Sequence, residues 1–178
     1  MNNTEQTERV SRDGVAFAVA NIRDIGFEHE SKDCTVRAIK NATGVPYRDA
    51  HAFLQARGRK DCEGMYFSEV MTELVTTKAI VFGYRITKVE EGTTLDRTYA
   101  RLRYPTLASS LRKCREGRYI IIKRGHTFAV IDGVVYDSGT VGTRSQVRSI
   151  FKLEPSSVVE PREAQRDADR LAVNQGGI

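Results

Sequence analysis

A chain of 178 residues, 40% hydrophobic and 29% charged, is long enough for one domain with a real core and too short for two comfortable ones. Its composition excludes wholesale disorder, and no apolar run approaches the roughly 20 residues of a membrane span. The polar start "MNNTEQTERVSRDG" has no apolar signal-peptide core, so cytoplasmic residence is the expectation.

In chain order, residues 1–13 are expected to be a flexible start. "VAFAVANI" fits either a short helix or a strand, and its periodicity does not decide. Ser31 or Asp33 can cap a helix from about Cys34 to Thr43, which Gly44 leaves at positive φ. Pro46 suits the first position of a second helix, "PYRDAHAFLQAR", whose Tyr47, Ala50, Phe53 and Leu54 recur at helical spacing before Gly58. A third helix begins near Ser68 and buries Val70, Met71, Leu74 and Val75.

The period then changes. "AIVFGYRI" reads as a strand, and residues 106–116, "TLASSLRKCRE", as one more helix, opened by Thr106 and closed by Gly117. "RYIIIK", a turn at Arg124-Gly125, "HTFAVI", a turn at Asp132-Gly133, "VVYDS" and "VRSIFKL" read as successive strands. Over 154–178, prolines and mixed charges alternate without an apolar face, which marks a flexible tail with room for a short helix near "REAQRDADRLAV". The expected architecture is one α+β domain over residues 1–153, with N-terminal helices packed on a C-terminal antiparallel sheet.

The Asp132-Gly133 turn carries a geometric consequence. A two-residue loop fixes the register so that 131 pairs with 134 and 128 with 137. His126 and Asp137 then share a face as diagonal neighbours, with Cα atoms about 7–8 Å apart. Asp132, at the turn, lies roughly 20 Å along the strand from His126, so it is the wrong acid to partner that imidazole.

Cys34 stands at a helix start, where free amides and the helix's partial positive charge lower the cost of a thiolate. An imidazole from a distant strand would form an ion pair with it and later return a proton to a leaving group, while a carboxylate fixes the useful tautomer. Cys34, His126 and Asp137 supply those three roles in that order.

"DCTVRAIKNATG" and "GRYIIIKRGHTFAVIDGVVYDSG" together resemble the papain-like cysteine peptidase superfamily. The likeness is to its small bacterial and phage-encoded members, including those akin to bacteriocin-processing peptidases, and spans residue 28 to about 139. It implies a papain-like fold, with Cys34 as nucleophile, His126 as general base and acid, and Asp137 as the orienting residue. It also implies a cysteine-dependent hydrolase or acyl transferase acting on an amide, isopeptide or thioester bond, most simply a peptidase, needing no cofactor. Where many members carry a glutamine that donates into the oxyanion hole, this chain has Glu28, which is ionised at neutral pH and cannot donate. Glu28 marks the position, and His29 or backbone amides, including that of Cys34, are candidates to do its work.

Other residues read more plainly. Three cysteines and three histidines without ligand spacing lead to the expectation of no metal and no disulfide framework. Cys62 and Cys114 read as small hydrophobes or inert thiols, His29 and His51 as structural or exposed, Arg37 as a solvated helix face sooner than a carboxylate anchor, and Tyr136 as core. The basic block from Arg97 to Arg124 is opposed only by Glu116. It reads first as a solvated face, and it also suits a protein or peptide substrate of acidic character. Nucleic acid is possible but not favoured as a partner, and a membrane is not expected. The alternative from another class is a catalytically silent papain-like binding protein, either an inhibitor of a host protein or a nucleic-acid-associated protein using this basic surface.

Overall fold

The change from helical spacing to two-residue alternation builds two kinds of layer in the computed structural model, which describes residues 9–12, 15–19, 26–89, 94–96, 101–137 and 141–157. Strands β1 (Arg9–Arg12) and β2 (Val15–Val19) come first, followed by helices α1 (Cys34–Thr43), α2 (Tyr47–Gln55) and α3 (Phe67–Thr76). A hairpin of β3 (Ile80–Val81) and β4 (Tyr84–Val89) leads to the pair β5 (Thr94–Asp96) and β6 (Arg101–Arg103) and to the short helix α4 (Leu107–Leu111). Strands β7 (Arg118–Lys123), β8 (His126–Ile131), β9 (Val134–Asp137) and β10 (Val147–Pro155) complete the order.

Among the described residues, eight strands form one sheet in the order β1-β2-β9-β8-β7-β10-β4-β3, and β5-β6 form a separate pair. The architecture is mixed α+β. It differs from the expected C-terminal antiparallel sheet in one respect: the N-terminal hairpin joins it, with β2 running parallel to β9. "VAFAVANI" is therefore a strand at its start, and Arg9–Arg12 of the expected flexible start is an edge strand. Glu154 and Pro155 of the expected tail belong instead to β10, where Pro155 pairs with Tyr84. Residues 158–178, including the suggested short helix, lie outside the described residues.

Alternation along the strands divides the core. On one face Ile86, Ile120, Ala129, Phe151 and Leu153 pack with Val36, Ile39, Leu54, Met71 and Leu74 of the three long helices. On the other, Phe17, Tyr119, Ile121, Phe128, Val130, Val135 and Ile150 pack with Leu107, Leu111 and Cys114.

Two expected elements are shorter or divided. The helix expected over 106–116 is only five residues long. Thr106 caps it by accepting from the Ser109 amide at 3.3 Å, but turns closed by Lys113 to Ser110 and Cys114 to Leu111 drive Cys114 into the second core. "AIVFGYRI" is a hairpin, not one strand, because Phe82 and Gly83 both take positive φ, 50° and 81°, the pattern of a type I′ turn. The Asp132-Gly133 turn is of the same kind, with φ of 48° and 77°, and it sets the expected register, Ile131 opposite Val134.

Helix α1 lies close to the sheet because its buried side is small: Ala38 and Ala42 are 1% and 0% exposed and share a core with Ala129. Ala42→Leu should overpack this contact and lower stability by about 1–3 kcal/mol, measured by urea denaturation.

Candidate active site

Cys34 is the first residue of α1, and Asp33 holds the N-cap position without capping, since no side-chain hydrogen bond forms there. Neither expected cap, Ser31 or Asp33, plays that role. The Asp33 carboxylate instead accepts from the Tyr47 hydroxyl at 3.0 Å and pairs with Arg37 at 3.0 Å. The first-turn amides of α1 have no intrahelical acceptors of their own, and the Asp33 side chain does not cap them.

From the sheet, His126 opens β8 and Asp137 closes β9. The imidazole Nε2 lies 2.9 and 3.0 Å from the two Asp137 oxygens. Nε2 is thereby occupied, which leaves Nδ1 for the hydrogen bond with the Cys34 thiol. By strand parity His126 and Asp137 belong to the face that carries Phe128 and Val135, whereas α1 packs on the opposite face. Thiol and imidazole therefore meet where β8 begins. The last pair between β8 and β9 among the described residues is Ala129 with Tyr136, and beyond it the Thr127 amide donates to the sulfur.

The electrostatics follow from these contacts. Burial pushes the Cys34 thiol up, but the hydrogen bonds from His126 and the Thr127 amide, with the charges of His126 and Arg37, outweigh it and lower its pKa. The hydrogen bond to Asp137, then that to Cys34, raises His126 to about 9 against the opposing effect of burial. The two shifts both favour a thiolate beside an imidazolium. Cys114 is the contrast: burial pushes its thiol up to about 12, as suits an inert core residue.

Cys34, His126 and Thr127 line a groove of about 830 Å³, together with Lys32, Thr35, Arg37, Met65, Tyr66, Lys123 and Arg148 among others. Neither oxyanion candidate lines it. Glu28 is exposed, and its carboxylate folds back onto the Gly26 amide at 3.0 Å, which with its own amide lowers its pKa; His29 is exposed as well. Arg37 is not a solvated face, being half-buried and ion-paired to Asp33. Tyr136 is half-buried against the first core, and Cys62 donates its thiol to the His29 carbonyl at 3.3 Å. The basic block is dispersed: Arg118 donates to the Ala42 carbonyl, Lys123 reaches the groove, and Arg112, Lys113, Arg115 and Arg124 are exposed. Arg97 and the side chains of Arg101 and Arg103 lie outside the described residues.

Sequence reasoning missed the charged cluster that anchors the approach to Cys34. Glu30 and Arg59, both with side chains 0% exposed, pair at 2.6 Å. Glu30 also meets His51 Nε2 at 2.9 Å and accepts from the Cys62 amide at 3.2 Å. Burial pushes the Glu30 carboxyl up, yet its bonds to Arg59, His51 and the Cys62 amide prevail and hold it at about 2. His29, Glu30 and Asp61 bring potential metal ligands within 4.8 Å of one another, but the Arg59 cation already occupies the Glu30 carboxylate and would oppose a metal ion.

Because its pKa is depressed, Glu30 contributes stability that is complete above about 4.5 and is lost as pH falls through about 2. Glu30→Ala would bury an unpaired Arg59 and should cost about 3–5 kcal/mol. The double variant Glu30→Ala/Arg59→Met should recover part of that loss in the same urea titration.

No helix among the described residues is long and apolar enough to cross a membrane. Compared with family models, with curated proteins and with solved structures, the chain matches none of them.

Proposed function

We propose that the protein is a papain-like cysteine hydrolase or acyl transferase, most simply a peptidase, that opens an amide, isopeptide or thioester bond through Cys34, His126 and Asp137. The observation that carries this reading is the contact of a helix-start thiol with an imidazole already fixed by a carboxylate, at the wall of an open groove.

In this reading the Cys34 thiolate attacks the carbonyl carbon, and the oxygen becomes an oxyanion facing the Cys34 amide at the helix start. Thr35 adds a second donor. It is 3% exposed and lines the groove, and its hydroxyl has no hydrogen-bond partner among the described residues. The imidazolium of His126 gives its proton to the leaving group as the bond breaks, leaving a thioester on Cys34. Water then attacks that thioester while His126 accepts its proton, and the acid departs as the thiolate re-forms; an amine in place of water makes the same cycle a transfer. The three free thiols suit a reducing, cytoplasmic setting.

One observation favours the silent binding protein instead: no glutamine or asparagine stands among the described residues of the groove wall. Alkylation separates the two readings. Cys34 should react with iodoacetamide well below the ordinary thiol pKa of about 8.5, and His126→Ala should slow it at least tenfold, as read by mass spectrometry of the labelled peptides. Equal reactivity of Cys34, Cys62 and Cys114 would reject the enzyme.

Cleavage of a peptide amide, whose leaving group needs the His126 proton, should fall as pH rises through about 9, where His126 loses it. Asp137→Asn removes the largest cause of that raised pKa and should move the alkaline limb down toward about 6.5. The same raised pKa contributes stability that is full below about 6.5 and lost as pH passes about 9. Thr35→Val should slow acylation by about 10²–10³ while leaving stability equal or higher, because an unpaired buried hydroxyl is removed.

A further inference from the structure

The groove beside Cys34 carries one sign of charge. Lys32, Arg37, Lys123 and Arg148 line it, and no carboxylate does among the described residues. Arg37 is matched by Asp33, while the described residues form no ion pair with Lys32, Lys123 or Arg148. The backbone positions of these three are set by the fold. Lys123 pairs with His126 across β7 and β8, so its stem shares a face with the imidazole. Arg148 falls at the register shift between Val147 and Ser149, where a bulge redirects a side chain, and its guanidinium stacks 3.9 Å from the Tyr104 ring. Lys32, at a φ of 51°, stands two residues before the nucleophile. Met65 and Tyr66, the latter 82% exposed, line the same groove.

Resting on the enzyme reading above, we propose that the acyl donor is an acidic peptide, whose carboxylate side chains bind Lys32, Lys123 and Arg148 next to the bond that Cys34 attacks. The volume is that of a site for a short segment. The mixture of cations with apolar Met65 and Ile122 on the wall suits a peptide better than a nucleic-acid strand, which would use a series of exposed aromatic platforms.

Binding separates this inference from the catalytic one, because it can be measured on Cys34→Ser protein that has no reactive thiol. An octapeptide with glutamate at alternate positions should bind by calorimetry about tenfold more tightly than its glutamine counterpart, as three modest surface ion pairs allow. Half-molar sodium chloride should erase most of the difference. Lys123→Glu/Arg148→Glu should invert the preference toward the lysine octapeptide, a gain that misfolding cannot produce. Equal binding of the glutamate and glutamine peptides would overturn the proposal, as would an unchanged preference in the charge-reversed variant. Tighter binding of a single-stranded DNA octamer, lost on the same reversal, would overturn it in favour of nucleic acid.

Discussion

A single hydrogen-bonded line, from the Asp137 carboxylate through the His126 ring to the Cys34 sulfur, joins a helix on one face of the sheet to two strands whose site residues belong to the other face. It depends on how the sheet ends. Beyond the last β8-β9 pair among the described residues, the Thr127 amide turns to the sulfur, and the imidazole meets the helix start. Burial alone would keep the thiol protonated. The balance turns downward because the His126 ring, an amide and the Arg37 charge converge on one atom.

Placing the sulfur against the ring also requires a fixed start for α1. Small residues on its buried side let the helix sit close to Ala129, and the segment before it is tied down by Glu30 to Arg59, His51 and the Cys62 amide. A buried ion pair of this kind is weak as a source of stability but strict in geometry, because every member must be satisfied at once. Its use here is to fix the path of the chain into Cys34. Asp33, turned inward to Tyr47 and Arg37, leaves the helix start open toward the groove.

Much of this was legible in the residues. Cys34 to Gly44 reads as a helix because cap-forming residues and a glycine bound it, and the structure has those bounds. The Asp-Gly turn carried the facing of His126 and Asp137, since a two-residue loop leaves no freedom of register. What stayed hidden depends on tertiary contact. Nothing local marks Glu30 and Arg59 as buried, because charged residues in loops are ordinarily solvated. The Arg148 bulge exists only relative to its partner strand, and the Phe-Gly turn lacks the usual Asn or Asp. The suggestion that Glu28 or His29 serves the oxyanion rested on distance along the chain, which does not report where the segment points.

The parallel pairing of β2 with β9 sets an order of assembly. Phe17, Ala18 and Val19 pair on their inner side with Val135, Tyr136 and Asp137, so a ribosome makes the second strand long before the neighbour that receives it. Such distant closure is slow compared with hairpin formation. The β1-β2 hairpin is therefore expected to dock late in biogenesis, and the strand that ends in Asp137 gains its outer support only when that early-made segment comes home.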